Sequence, residues 1–377
     1  MNRQSGAHTR SRRPAGIKDI AKALGVSTGT VDRALHARPG INDATRRRVL
    51  KMAEKLGYRP NLAARHLKSG RQFIISVQLP VEIAYFFDSV RAGIRDAAAP
   101  FAQTVLIETD SYPRLGEDDE PAFRRAIENH VDGIVICPAD PAKVKPWIQQ
   151  ASELGIPVVC VASDAPHTRR LTAISADPFT GGAIAGELLS FAIHGPGEVA
   201  IITGDLSTVD HAEKLRGFRS MVKKLESGLS LATVAEAHDD EREAYRQTRE
   251  ILAQNPALKG IYVSTANSLP VAEALTDLGL AGRVPLITTD LFAEMVPLIR
   301  SGTIAASIYQ RPQTQGRLAF SALYQYLVEA AALPPVIRLA PQIVMRSNVD
   351  LLIERTQLEP DEEVGDRSLS SPVGRFA

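Results

Sequence analysis

A chain of 377 residues with 44 Lys and Arg against 43 Asp and Glu is long enough for more than one domain with a substantial core. No apolar run reaches the roughly eighteen residues of a membrane span, and no signal-peptide pattern heads the chain, so neither an integral membrane protein nor a secreted receptor is expected. Two cysteines, Cys137 and Cys160, are too few for a disulfide scaffold and read as reduced structural thiols of a cytoplasmic protein.

The formal charge of +1 hides an uneven distribution. Residues 1–70 hold sixteen Lys and Arg against four acids, a net of +12, so residues 71–377 carry about −11. A basic head on an acidic body is the electrostatic footprint of a nucleic-acid-binding module joined to something else. The first segment, 1–15, contains Arg10, Arg12 and Arg13 and reads as a flexible basic arm that adds nonspecific affinity.

The next predicted elements lie in IKDIAKALGVSTGTVDRAL, residues 17–35. Ile17, Ile20, Ala21 and Leu24 fall at i, i+3, i+4 and i+7 and line one face of a helix. Gly25 suits the helix end, and Ser27 suits the N-cap of a second helix with Val31, Ala34 and Leu35 inward. That leaves Thr28, Gly29, Asp32 and Arg33 outward, the pattern of a helix-turn-helix whose second helix enters the major groove. A third helix is capped by Asn42, carries Val49, Met52, Ala53 and Leu56 as its stripe, and stops at Gly57.

With these residues in view, IKDIAKALGVSTGTVDRALH, INDATRRRVLKMAEKLGYRPN and LAARHLKSG resemble, without a gap over about fifty residues, the N-terminal domain of the lactose-repressor (LacI/GalR) family of bacterial transcription regulators. The resemblance implies a helix-turn-helix domain over 16–60 and a hinge helix or linker over 61–71. It makes Thr28, Gly29 and Arg33 base readers, with Ser27 and Thr30 beside them. Within the hinge it makes Asn61, Ala64 and Leu67 DNA contacts, Leu67 being the minor-groove wedge. Arginine is the usual bidentate reader of guanine. Asp32 stands where the family generally has a serine, so it either accepts from a cytosine amine or holds Arg33. Arg46, Arg47 and Lys51 suit phosphates or water.

Beyond the head, apolar runs recur with helix-length segments between them. They are FIISVQL (73–79), TVLIET (104–109), GIVIC (133–137), PVVCVA (157–162), VAIIT (199–203), GIYVS (260–264) and PLITT (285–289). Continuous apolar strands between helices predict a buried parallel sheet, hence an α/β body. No internal repeat is evident, and 354–377 reads as a loose polar tail.

Over most of 72–353 the body resembles the ribose-binding branch of type I periplasmic sugar-binding proteins. That implies two Rossmann-like lobes joined by three crossings, the N-lobe about 72–174 and 304–333, the C-lobe about 175–303 and 334–353. Open α/β sheets bind ligands at the carboxyl ends of their strands. The resemblance places Phe86 and Phe87 on the flat face of a sugar ring and Asn267, Asp290 and Gln310 on its hydroxyls. It departs at Ala162 and Ser163, where the ribose binders have an Asp-Arg pair, with Asp164 following. It departs again at Lys214, a point charge in place of an arginine fork. Asp210 and His211 lie near enough in sequence to join the pocket. These departures leave ribose in doubt and point to another sugar, a polyol or a sugar acid.

No Walker loop, GxGxxG after a strand, HExxH or GxSxG occurs, so the sequence argues against an enzyme. The run His238-Asp239-Asp240-Glu241 reads as a solvated surface before a helix, not a metal site, and no cofactor is expected. The expected function is a ligand-responsive repressor of carbohydrate-utilisation genes, binding a near-palindromic operator as a homodimer and released by its effector. A sugar receptor without a DNA role, and a regulator using a non-sugar corepressor, are the alternatives.

Overall fold

A computed structural model describes residues 16–35, 40–56, 72–115 and 119–358. The arm 1–15, Gly57, the hinge residues Asn61, Ala64 and Leu67, and everything beyond 358 lie outside the described residues.

The head is a three-helix unit, α1 (Ile17–Leu24), α2 (Thr28–Leu35) and α3 (Asp43–Lys55). Gly25 ends α1 in the left-handed conformation at φ 65°, with its N–H returned to the Ala21 carbonyl. Ser27 Oγ accepts from the Thr30 N–H at 3.1 Å, and Asn42 Oδ1 accepts from the Thr45 N–H at 2.7 Å, so both expected N-caps are present. Ile20, Ala21, Val31, Ala34, Val49 and Ala53 form the core, flanked by Ile17, Leu24, Val26, Leu35, Ile41 and Met52. Leu56, assigned to the inner stripe, is instead 37% exposed, because α3 ends at Lys55 and the chain leaves the helix before completing that turn.

The body holds twelve strands among the described residues, in two six-stranded sheets. The first runs β2 (Val105–Tyr112), β1 (Phe73–Pro80), β3 (Gly133–Ile136), β4 (Val158–Val161), β5 (Thr172–Ala176), β11 (Val336–Leu339), all parallel. The second runs β7 (Leu229–Glu236), β6 (Gly197–Thr203), β8 (Gly260–Val263), β9 (Leu286–Thr289), β10 (Ala306–Tyr309), β12 (Gln342–Val344), parallel except for the antiparallel β10–β12 pair. Strands β3, β4, β8 and β9 are buried along their whole length, as continuous apolar runs between two helical layers must be.

The helices are α4 (Ala84–Ala98), α5 (Asp119–Glu128), α6 (Pro141–Glu153), α7 (Pro178–Ala192), α8 (Val209–Lys224), α9 (Glu241–Gln254), α10 (Ser268–Asp277), α11 (Met295–Ser301), α12 (Pro312–Glu329) and α13 (Val349–Leu358). In the first lobe Phe123, Ile134, Ile148 and Cys160 centre one core layer. In the second, Ile202, Ile261, Leu275 and Met295 fill one side of the sheet, and Leu189, Ile201, Phe218 and Tyr262 the other. Helices α7 and α8 cross at backbone contact. A Cβ on Gly182 would fall 1.8 Å from the Lys214 carbonyl, and one on Gly217 1.9 Å from the Phe179 carbonyl. Only glycine fits at both points, and the crossing fixes where the Lys214 turn of α8 lies.

The chain changes sheets after β5, after β10 and between β11 and β12. Two lobe boundaries therefore differ from those expected. Residues 304–309 stay with the second lobe, since β10 pairs with β9, and β11 returns to the first lobe beside β5. The expected tail also begins later, because α13 runs on to Leu358. Among the described residues no helix is long and apolar enough to cross a membrane.

Candidate functional site

In the head, Ser27, Thr28, Gly29 and Arg33 are exposed on one side of α2, with Thr30 and Asp32 half-buried beside them. The Ser27 and Thr30 hydroxyls bond each other at 2.9 Å. Arg47, Arg48 and Lys51 are exposed on α3. This presents a short polar helix face next to clustered cations, the chemistry a DNA groove and its phosphates require.

In the body, the carboxyl ends of strands from both sheets border a narrow cleft, part of it open to solvent. Ile83, Phe86 and Phe87 come from the first turn of α4 and its approach, and the two phenyl rings meet edge to face at 5.1 Å and 81°. From the second lobe come Asp210, His211 and Lys214 on the first turns of α8, Asp239 after β7, Thr265 after β8, Asp290 after β9 and Gln310 after β10. Four non-glycine residues of this lining, Ile83, Ala162, Asp239 and Asp290, hold left-handed backbone, with φ of 53°, 66°, 56° and 73°. Such strain collects where the fold must aim side chains at one point.

Asp290 is the polar centre. Its Oδ1 accepts from Gln310 Nε2 at 2.8 Å, its N–H donates to the Ile308 carbonyl, and its own carbonyl accepts from Ser307 Oγ. Burial pushes the carboxyl up to about 6, against the pull of Lys214 and the Gln310 amide. Lys214 is buried, with Nζ 2.6 Å from Asp210 Oδ2 and 3.2 Å from the Ser264 carbonyl. Burial alone would lower its pKa, but Asp210 above all outweighs that and the ammonium titrates above its ordinary value. His211 is held below the ordinary imidazole range by burial, despite Asp239 and Asp210 nearby. Gly204 makes room for this pair: a Cβ there would lie 2.6 Å from His211 Nε2 and 3.0 Å from Asp239 Oδ2.

The structure thus brings Phe86, Phe87, Asp210, Lys214, Asp290 and Gln310 to one cleft. Asp164 is a correction: it is held away from the lining by a bidentate ion pair with Arg170, one arm of it Nη2–Oδ2 at 2.8 Å. Asn267 is buried at the N-cap of α10 rather than on the lining, its Nδ2 without a hydrogen-bond partner. Asp239 is a correction in the other direction, since the sequence put it on a solvated surface; its neighbour Asp240 does cap α9, accepting from the Glu243 N–H. Tyr85 carried no sequence signal at all. It stands on first-lobe α4, yet its hydroxyl donates to the Ala266 carbonyl at 2.9 Å and its ring stacks on Phe292 at 3.8 Å, both in the second lobe. Cys137 and Cys160 are buried free thiols whose pKa values burial raises.

Comparison with known proteins agrees with both regions. Residues 75–331 match the periplasmic binding protein domain, and residues 16–61 match the bacterial regulatory proteins of the lacI family. Catabolite control protein A of Priestia megaterium is 25% identical over 70% of this chain and 78% of its own length. The ribose operon repressor of Bacillus subtilis is 26% identical over 69% and 75%. Among solved structures, an ABC transporter solute-binding protein from Burkholderia graminis in complex with D-arabinose superposes with a TM-score of 0.69 at 26% identity, over 74% of this chain and 97% of that one. A basic three-helix head with an exposed recognition face, and a two-lobed body with a polar cleft, are the two parts those matches describe. The chain belongs to the periplasmic binding protein domain family and carries a head that matches the bacterial regulatory proteins of the lacI family, and it is a ligand-responsive, DNA-binding transcription regulator.

Proposed function

We propose that this regulator represses carbohydrate-utilisation genes in the cytoplasm, binding a near-palindromic operator as a homodimer and leaving it when a sugar-like effector enters the cleft. The observation that carries this reading is that the Asp290–Gln310 pair and the Phe86–Phe87 edge line the same cleft. A carboxylate and an amide supply the mixed acceptors and donors that hydroxyls satisfy, and the phenyl rings supply an apolar wall for a sugar face. The D-arabinose bound in the Burkholderia graminis relative and the ribose operon named for the Bacillus subtilis one favour the same ligand class.

At the DNA, Thr28 and Arg33 read base edges, Ser27 and Thr30 face the backbone, and Gly29 lets α2 approach closely. Asn61, Ala64 and Leu67 form the hinge contact, with Leu67 wedged into the minor groove. Effector binding draws the lobes together and withdraws the paired hinges, through a coupling typically of about 1–3 kcal/mol. The test is a mobility-shift assay on the chain's own upstream DNA, with and without sugars that raise its melting temperature. Leu67→Ala is expected to weaken operator binding at unchanged effector affinity, and Asp290→Ala to abolish the melting shift. Equal operator affinity for wild type and Leu67→Ala would remove the hinge from the scheme, and a melting shift that survives Asp290→Ala would remove the cleft.

A further inference from the structure

The cleft is unbalanced in charge. Three carboxylates line it, Asp210, Asp239 and Asp290, against one ammonium, Lys214. That ammonium is already committed, 2.6 Å from Asp210 Oδ2 and 3.2 Å from the Ser264 carbonyl. His211 adds no cation at neutral pH, since burial holds the imidazole below its ordinary range. No arginine lines the cleft among the described residues. Asp290 has only the Gln310 amide, while Asp210 Oδ1 and Asp239 Oδ1 are buried with no hydrogen-bond partner. Ser163 Oγ and Thr265 Oγ1, on lining side chains each 4% exposed, are equally unpartnered.

We propose that the effector is chosen by charge: the cleft takes a hydroxyl-rich ligand bearing an ammonium, an aminated sugar or polyol, and turns away sugar acids and sugar phosphates of the same size. This rests on the sugar-sensing reading above. Carboxylate oxygens only accept, so a ligand that satisfies them must donate, and an ammonium brings three donors together with the missing positive charge. An anionic ligand would bury its charge beside two carboxylates that have no cation partner, and it would find no guanidinium fork to hold it. The N-terminus of α8 could favour an anion, but Asp210 already occupies its first turn. The N-terminus of α10, behind Thr265, contributes only about half an elementary charge, too little to reverse the sign.

The test is calorimetric titration of the full-length protein at pH 7.5 with matched trios, each a hexosamine, its parent hexose and the corresponding hexuronate, in the gluco, galacto and manno series. In the series that binds, the hexosamine is expected to bind at least tenfold tighter than the hexose, and the hexuronate not detectably. Asp239→Asn keeps a side chain that tolerates the left-handed backbone at this position (φ 56°). It is expected to cut the hexosamine-to-hexose affinity ratio at least threefold; should it fail to fold, the trios on the wild-type protein decide the inference alone. A hexosamine no tighter than its hexose, or a hexuronate that binds as well, overturns the charge inference and leaves sugar sensing standing. Silence from every member of every trio overturns sugar sensing and the charge inference together.

Discussion

Tyr85 is the side chain whose removal should most directly change how the lobes close. Its hydroxyl bond to the Ala266 carbonyl and its stack on Phe292 both join α4 of the first lobe to loops of the second, so they exist only when the lobes are together. A neutral hydrogen bond contributes about 1 kcal/mol net, and an aromatic pair about 1 kcal/mol beyond its area. Tyr85→Phe removes the first and should lower the closed-to-open ratio about fivefold; Tyr85→Ala removes both, about 2 kcal/mol or roughly thirtyfold. Effector affinity should fall by the same factors wherever the open form dominates without ligand. The assay needs no identified effector: spin labels on cysteines placed at Gln103 and Lys224, exposed positions on opposite lobes, report the distance distribution, since Cys137 and Cys160 are buried and do not label. Tyr85→Ala should broaden that distribution toward longer distances. An unchanged distribution would mean that Tyr85 contributes nothing to closure, and the cross-cleft contact would lose its meaning.

Three further outcomes follow from single features. Gly217→Ala sets a methyl carbon 1.9 Å from the Phe179 carbonyl, an overlap that costs about 3 kcal/mol or more, so the body's melting midpoint should fall by several degrees; an unchanged midpoint would deny the close crossing. Ser27→Ala removes the acceptor of the Thr30 N–H and should cost the head about 1 kcal/mol, read as roughly fivefold faster amide exchange in α2 and none in the body. Asp290, with a folded pKa of about 6 against an ordinary 3.8, keeps a proton that the unfolded chain has released. Its contribution is therefore favourable below the ordinary value and is lost as pH rises from about 4 through 6, a swing on the order of 3 kcal/mol. A ligand that donates to the carboxylate should then bind more tightly as pH rises toward 6, with proton release seen by calorimetry in buffers of different ionisation heat. Asp290→Asn should flatten that dependence.

The head was legible almost to the residue because its determinants are local: the i, i+3, i+4 spacing of Ile17, Ile20 and Ala21, the caps Ser27 and Asn42, and the left-handed Gly25. Leu56 was not, since its burial depends on one more turn that α3 does not make. In the body, strands buried on both faces announce themselves as unbroken apolar runs. The sequence TAISA of β5 is as buried as any but sets a single large apolar side chain, Ile174, among small and hydroxyl ones, and β7, β11 and β12 lie at sheet edges, where burial is partial and the pattern mixed. Missing β7 carried a functional cost. Asp239 follows that strand's carboxyl end, and without the strand it could only be read as one more surface acid. Asp164 failed for the opposite reason, being at the right strand end with Arg170 in space to claim it.

The same geometry joins the cleft to a first-lobe helix through few intermediates. Gln310 Nε2 holds Asp290, and the Gln310 backbone carbonyl accepts from Gln315 Nε2 at 2.8 Å, one turn into α12. Between them Arg311 sits in the left-handed region at φ 58°, where a non-glycine residue stays only if its surroundings hold it. The start of α12 packs on α4 as closely as α8 packs on α7, since a Cβ on Gly93 would fall 1.9 Å from the Gln313 carbonyl. A ligand hydroxyl or ammonium that replaces the Gln310 amide on Asp290 frees one end of this chain of contacts, and α12 cannot move without carrying α4, the helix that bears Tyr85, Phe86 and Phe87. On the proposed reading, binding at the second lobe's acids and rearrangement of the first lobe's aromatic edge are one event. A Gln310→Ala variant separates them: it should retain the Asp290 carboxylate for ligand donors while uncoupling ligand binding from operator release, and full release at saturating effector would show that the signal travels by another route.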